Sequence, residues 1–128
     1  MGTVILDASV AIALRSPSDP HASRAAELIL AAEDLVIHPV TLAECLVAPA
    51  RSGSAGEVRR LLVEGIGIRV WATVDDEPER VADLRAATRS ALPDCYPLLL
   101  ATELGLPLAT FDAVLAATAR ERGIHVVP

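Results

Sequence analysis

Four acidic side chains could share one chemical task, because each lies at or near the predicted start of a helix: Asp7, Glu44, Asp94 and Asp112. Helices that follow the strands of a parallel sheet begin at one edge of that sheet, so we expect these carboxylates to lie close together. Clustered carboxylates raise one another's pKa unless a cation joins them, and the chain contains no lysine. Mg²⁺, or Mn²⁺ in its place, is the natural partner. Such a site activates water and stabilises charge developing on a phosphoryl group.

Each acid also has a purely structural interpretation. Asp is a favoured N-cap residue, which fits Asp7, Asp94 and Asp112. Thr41 and Glu44 have the spacing of a capping box, in which the Glu side chain reaches back to the backbone N–H of the Thr. Taken singly, each acid leaves both interpretations open. The combination of four at one expected edge favours a shared site.

The predicted elements that would position these acids alternate between strands and helices. Val4–Leu6 is a short apolar run typical of a strand buried on both faces. Further strands are predicted at residues 35–37, 68–71, 107–110 and 124–127, and helices at 8–14, 21–32, 41–47, 55–64, 77–91, 94–104 and 113–122. This alternation predicts one α/β domain over residues 1–128, with a mainly parallel sheet of about four or five strands flanked by helices.

The overall charge neither supports nor excludes a nucleic-acid substrate. The formal net charge is −6, whereas phosphate contacts normally need a basic surface, but acids that hold metal ions would account for part of it. Cys45 and Cys95 are too few for a disulfide scaffold and lack zinc-site spacing, so we expect buried, reduced thiols. No apolar run approaches the ~18 residues of a membrane span, and no signal peptide is visible. The expected location is therefore the cytoplasm.

The four acids occur in short motifs whose order and spacing resemble those of PIN-domain nucleases over the whole chain. These motifs are Leu6-Asp7-Ala8-Ser9, Leu42-Ala43-Glu44, Pro93-Asp94 and Thr110-Phe111-Asp112. The ending, Leu-Ala-Thr-Phe-Asp followed by Gly-Ile-His-Val-Val, resembles the VapC toxins of VapBC toxin–antitoxin pairs. One departure is Cys95, where a small apolar residue such as Ala is more usual in the family.

This resemblance implies a Mg²⁺-dependent endoribonuclease that is held inactive by a VapB-type antitoxin and is usually a homodimer. By match with the family motifs, Asp7 and Asp94 would be the main metal ligands. Glu44 and Asp112 would bind a second ion, or orient and deprotonate the attacking water. The number of metal ions and the RNA target stay open.

The resemblance also implies supporting roles for the hydroxyl groups of Ser9 and Thr110. Separately, a basic rim that binds the phosphates of RNA could be formed by Arg51, Arg59 and Arg60. A solvated helix face is the simpler interpretation of these arginines.

Other α/β folds with acidic sites fit less well. A receiver domain of phosphorelay signalling needs a lysine, and a haloacid-dehalogenase phosphatase needs a second Asp at the position of Ser9. The remaining alternatives are a PIN-domain nuclease in RNA maturation and a non-catalytic PIN-fold binding module, although the presence of all four acids argues against the latter. The histidines His21, His38 and His125 show no ligand spacing, so we expect ordinary structural or surface roles for them.

Overall fold

The central sheet is entirely parallel, with its five strands in the order β3-β2-β1-β4-β5, in a computed structural model that describes all 128 residues. The strands are β1 (Thr3–Leu6), β2 (Asp34–Ile37), β3 (Arg69–Val70), β4 (Leu108–Ala109) and β5 (Val126–Val127). This arrangement confirms the predicted α/β fold with a parallel sheet. It also brings the carboxyl ends of all five strands to one edge.

Seven α-helices connect or follow these strands. They are α1 (Ala8–Arg15), α2 (Ala22–Ala31), α3 (Pro39–Arg51), α4 (Ala55–Arg60), α5 (Glu77–Thr88), α6 (Leu92–Leu104) and α7 (Ala113–Glu121). A π-helical segment, Leu61–Ile66, continues directly from α4, where the sequence predicts a single helix over residues 55–64. The segment ends at Gly67, whose φ of 88° lies in the left-handed region that glycine adopts without strain. No helix has the length and apolar character needed to cross a membrane.

The central strand β1 divides the apolar core into two layers. Val4, Ile5 and Leu6 are completely buried, as their continuous apolar run predicts. Val4 and Leu6 pack with the apolar faces of α1 to α4, whereas Ile5 packs with those of α5 to α7. This alternation follows from the two-residue repeat of a strand, in which successive side chains point to opposite faces of the sheet. It also sets the direction of Asp7, the residue that follows β1.

The start of α3 differs from the prediction, because His38 caps this helix. His38 Nδ1 accepts a hydrogen bond from Val40 N–H at 3.0 Å, and Pro39 occupies the first helical position, where its missing N–H costs nothing. Thr41 therefore lies inside the first turn and is not the N-cap residue, so it cannot form a capping box with Glu44. The capping-box interpretation of Glu44 was wrong.

The boundary between α5 and α6 also differs from the prediction. The sequence predicts that α5 continues to residue 91, but it ends at Thr88, and Arg89 adopts a left-handed φ of 58°. Helix α6 begins at Leu92 rather than at Asp94, so Pro93 lies in its first turn instead of separating two helices. Ala91 occupies the N-cap position, and the capping interpretation of Asp94 was therefore wrong.

Candidate active site

Asp7 lies directly after β1, and the residue is only 6% exposed. Its backbone occupies the N-cap position of α1, yet its side chain makes no capping hydrogen bond. Instead, Asp7 Oδ2 accepts hydrogen bonds from Ser9 Oγ at 2.7 Å and from Thr110 Oγ1 at 2.8 Å. The capping interpretation of this side chain was wrong, and its second oxygen, Oδ1, is left without a protein donor.

The two hydroxyl groups that hold Asp7 are themselves oriented by the backbone after β4. The backbone N–H of Phe111 donates to Ser9 Oγ, and that of Asp112 donates to Thr110 Oγ1, both at 3.0 Å. Because each hydroxyl oxygen accepts from the backbone, its own proton is free to point at Asp7. The segments after β1 and β4 thus form one connected polar unit.

Glu44 and Asp94 face Asp7 from α3 and α6, and both side chains are half-buried. Burial raises the pKa of Glu44, and the charges of Asp7 and Asp94 raise it further. Burial likewise raises the pKa of Asp94, with added contributions from Asp7 and Asp112. Neither side chain makes a capping hydrogen bond in its helix, although Asp94 lies in the first turn of α6, where the helix dipole favours an acid.

Asp112 is the acid for which the capping interpretation is correct. Its Oδ1 accepts hydrogen bonds from Val114 N–H at 2.9 Å and Leu115 N–H at 3.0 Å at the start of α7. The residue is exposed, and its charge contributes to the raised pKa of Asp94. Asp112 therefore combines a structural role with a position among the other acids.

The donor set of this cluster suits a hard divalent cation, although no three His, Cys, Asp or Glu side chains converge as a preformed metal-binding group. All four acids supply carboxylate oxygens, which are the ligands that Mg²⁺ and Mn²⁺ prefer. None of the four forms a salt bridge with an arginine. Their negative charge is thus uncompensated within the chain, and the residues present fit a divalent cation.

The predicted basic rim is not in contact with this cluster. Arg51, Arg59 and Arg60 are exposed, form no salt bridge, and lie at the end of α3 and in α4. Arg51 follows Glu44 by about two helical turns, roughly 10 Å along the axis of α3. A role for these arginines in RNA binding stays a prediction.

A buried pair of His38 and Glu77 is the feature of this region that sequence reasoning missed. Because His38 Nδ1 accepts from Val40, its Nε2 carries the proton and donates to Glu77 Oε1 at 2.5 Å. The His38 ring also packs against Tyr96, with the ring centroids 4.6 Å apart. These contacts connect the starts of α3 and α5 with α6, and so align the two helices that carry Glu44 and Asp94. The His-Pro dipeptide after β2 was a local signal of the cap, but nothing local in the sequence points to Glu77.

Cys45 and Cys95 follow two of the acids directly, and both are buried free thiols, as expected. Burial raises the pKa of the Cys45 thiol to about 12, so the group stays protonated at neutral pH. Burial also raises the pKa of Cys95, which packs inside the first turn of α6. Both thiols therefore act as small core side chains.

Comparisons with known proteins identify a family that matches this chain. The PIN domain family matches residues 4–127 of the chain. No match is found among curated protein sequences.

Several solved structures share the fold. VapC20 of Mycobacterium tuberculosis, described as a sarcin-ricin loop cleaving toxin, is 16% identical with a TM-score of 0.74, over 89% of this chain and 93% of that chain. PAE2754 of Pyrobaculum aerophilum is 24% identical with a TM-score of 0.67, over 98% of this chain and 89% of that chain. VapBC2 of Rickettsia felis, bound to a DNA fragment from its promoter, is 13% identical with a TM-score of 0.68. The likeness covers 98% of this chain and 97% of that chain. Since the family match spans almost the entire sequence, the chain belongs to the PIN-domain family.

Proposed function

We propose that this chain is a Mg²⁺-dependent endoribonuclease that hydrolyses RNA phosphodiester bonds at the four-carboxylate site, with Mn²⁺ able to substitute. The observation that carries the proposal is a group of four acids, none of which forms a salt bridge with an arginine. Burial and, after it, the neighbouring acids raise the pKa of Glu44 and of Asp94. Such an unfavourable arrangement of charge is characteristic of functional sites, because it is relieved when a cation binds. Membership of the PIN-domain family supports the same activity.

In this mechanism Asp7 and Asp94 would supply the main ligand oxygens. A bound divalent cation would lower the pKa of its water and stabilise the charge that develops on the phosphoryl group. Ser9 and Thr110 hold one oxygen of Asp7, which leaves the other for the cation. Glu44 and Asp112 would hold a second ion, or would orient and deprotonate the attacking water, and the raised pKa of Glu44 suits a proton acceptor.

The location of the acids on the molecular surface supports a polymeric substrate. Asp112 is exposed, Glu44 and Asp94 are half-buried, and none of the four acids lines any of the four cavities of the molecule. An extended strand can reach such an open site, whereas small-molecule sites are mostly enclosed. We therefore propose RNA, cleaved in the cytoplasm, as the substrate.

The test is cleavage of a panel of single-stranded RNAs by the purified protein. We expect products with Mg²⁺ or Mn²⁺ and none in excess chelator. Protein carrying Asp7→Asn, purified in parallel, controls for contaminating nuclease. Equal cleavage by the parent protein in excess chelator would contradict the metal mechanism.

We further propose that the chain is the toxin of a VapBC-type pair, held inactive by a VapB-type antitoxin, and that it forms a homodimer. An apolar groove of about 520 Å³ between α1, α2 and the π-helical segment supports a protein partner. The groove is lined by Leu14, Arg15, Ala26, Ile29, Leu30, Leu61 and Ile66. Leu30 is 85% exposed and Leu61 is 52% exposed, so two large apolar side chains are available to an amphipathic helix.

The partner proposal is tested with the product of any small reading frame adjacent to this one. Co-expressed, it should co-purify with the chain and stop RNA cleavage, and Leu30→Arg should release it while leaving cleavage intact. If no adjacent product binds and expression of the chain alone is harmless to cells, the toxin assignment is wrong. The alternative, a PIN-domain nuclease of RNA maturation, would then be favoured. A non-catalytic binding module would be favoured only if no RNA is cleaved with any metal.

A further inference from the structure

The backbone segment after β4, which orients Asp7 through Ser9 and Thr110, carries a side chain that stacks on a second aromatic ring. The rings of His21 and Phe111 are nearly parallel, with their centroids 4.4 Å apart and their planes at 6°. The guanidinium carbon of Arg24 lies 5.5 Å from the centroid of the same Phe111 ring. Phe111 is also the residue whose backbone N–H donates to Ser9 Oγ. The ring contacts and the polar network of the site therefore meet at one residue.

His21 is itself fixed by the turn that precedes α2. Its backbone N–H donates to Asp19 Oδ1 at 2.8 Å, which is the hydrogen bond of an Asx-turn. Helix α2 begins at the next residue, Ala22, and its buried side chains pack in the same core layer as α1. The His21 ring is half-buried, so its position is set by the backbone on one side and by Phe111 on the other.

We propose that His21 is a positioning residue of the acidic site, acting on Asp7 through Phe111 and Ser9. Three contacts make the connection: the ring stack, the 3.0 Å hydrogen bond from Phe111 N–H to Ser9 Oγ, and the 2.7 Å hydrogen bond from Ser9 Oγ to Asp7 Oδ2. Stacking restricts how far the Phe111 ring can shift, and so restricts the direction of the Phe111 N–H. The Ser9 hydroxyl then keeps Oδ2 of Asp7 engaged and leaves Oδ1 for a cation. The inference rests on the proposed function, because it concerns how Asp7 is prepared for a metal ion.

Mn²⁺ binding to the full chain, followed by electron paramagnetic resonance or calorimetry, tests this role without depending on turnover. Partners that orient a metal ligand typically affect affinity by ~10-fold to ~100-fold, and we expect His21→Ala to weaken Mn²⁺ binding by about 10-fold. His21→Phe retains a flat ring that can stack on Phe111, so it should restore most of the affinity. His125→Ala removes an exposed histidine elsewhere in the chain and should leave the affinity unchanged.

A double-variant cycle with Ser9→Ala tests the route of the effect. Once the Ser9 hydroxyl is gone, the route from Phe111 through Ser9 to Asp7 is broken, whereas Thr110 still donates to Asp7 Oδ2. Adding His21→Ala should therefore cause little further loss of Mn²⁺ affinity. Thermal melts in chelator establish that each variant is folded.

The outcomes separate this inference from the proposed function. A parent protein that binds no Mn²⁺ contradicts the proposed function and this inference with it. Parent-like Mn²⁺ affinity in folded His21→Ala overturns the inference alone. So does full additivity with Ser9→Ala, or failure of His21→Phe to restore binding, since either would show that the ring stack does not act through Ser9.

Discussion

At the scale of single residues, the four acids differ in what holds their side chains. Two hydroxyl groups bind Asp7, and two backbone N–H groups bind Asp112. Glu44 and Asp94 make neither a capping hydrogen bond nor a salt bridge. Removing their charge should therefore affect catalysis much more than folding, whereas changes at Asp112 should affect both.

Glu44→Gln should lower RNA cleavage by at least ~100-fold, as expected for loss of a positioned acid–base group. In chelator its melting temperature should equal or exceed that of the parent, because the substitution removes a charge that Asp7 and Asp94 repel. Cleavage assays with Mg²⁺ and melts with chelator on the same preparation measure both effects. Parent-like cleavage would show that Glu44 has no part in the site.

Asp112 allows the structural and catalytic roles to be separated. Asp112→Ala should lower the free energy of unfolding by about 1 kcal/mol, the usual effect of a lost N-cap, whereas Asp112→Asn should retain most of it. Both variants should cleave RNA more slowly. Denaturant unfolding in chelator provides the comparison, and equal destabilisation by Asn and Ala would show that side-chain capping of α7 is not what Asp112 contributes.

The acids themselves were predictable from the sequence, but their individual structural roles were not. Asp7, Glu44 and Asp112 occur near predicted strand-to-helix junctions, which a parallel sheet brings to one edge, whereas Asp94 occurs at the predicted start of a helix that follows another helix. Whether a side chain caps depends on the start of the helix to within one residue, and at α3 and α6 that start differs from the prediction. The hydrogen bond from Thr110 to Asp7 joins residues about a hundred positions apart, a distance over which local patterns carry no information.

At the scale of the helices and strands, the buried pair of His38 and Glu77 sets how α3, α5 and α6 meet. His38 caps α3 through Nδ1 and binds Glu77 at the first position of α5 through Nε2. The sequence predicted these elements from apolar periodicity and turn residues. It did not predict the π-helical segment after α4, because the amphipathic pattern of residues 55–64 is equally compatible with a continuous α-helix.

His38→Ala should destabilise the protein by about 3 kcal/mol or more, because it removes a cap and leaves Glu77 buried without its partner. Thr41→Val is the matched control, three residues further along the same helix. The Thr41 hydroxyl is buried without a hydrogen-bond partner, so its replacement by a methyl group should raise the free energy of unfolding or leave it unchanged. Denaturant unfolding measures both variants. A marked loss of stability in Thr41→Val would favour the capping interpretation of the Thr41–Glu44 spacing again.

At the scale of the whole molecule, negative charge collects at the carboxyl edge of the sheet while an apolar groove lies between α1, α2 and the π-helical segment. The parallel topology that produces the acidic edge was predictable from the alternation of strands and helices. The groove was not, because it depends on how α2 and the π-helical segment are placed against α1. The two features together account for the proposed pairing of a metal-dependent site with a protein partner.

The acidic edge should make the metal-free protein less stable as pH rises. Folding raises the pKa of Glu44 above its ordinary 4.5 and that of Asp94 above its ordinary 3.8, so the folded state retains these protons after the unfolded state has lost them. Their contribution is most favourable below these ordinary values and declines as pH increases through the raised ones. Unfolding in chelator across this range should show a smaller decline for Asp94→Asn than for the parent. An identical pH dependence in both proteins would contradict the raised pKa of Asp94, which burial and, after it, the charges of Asp7 and Asp112 cause.

The most direct test of the four-carboxylate site is the rate of RNA cleavage by Asp94→Asn with Mg²⁺. Asp94 neither caps α6 nor forms a salt bridge. Burial raises its pKa, and the charges of both Asp7 and Asp112 raise it further. Its substitution therefore changes the site with the least effect on the fold. We predict that cleavage falls by at least ~100-fold while the melting temperature in chelator stays the same or rises. Cleavage at the parent rate by Asp94→Asn would show that the carboxylate cluster is not the active site.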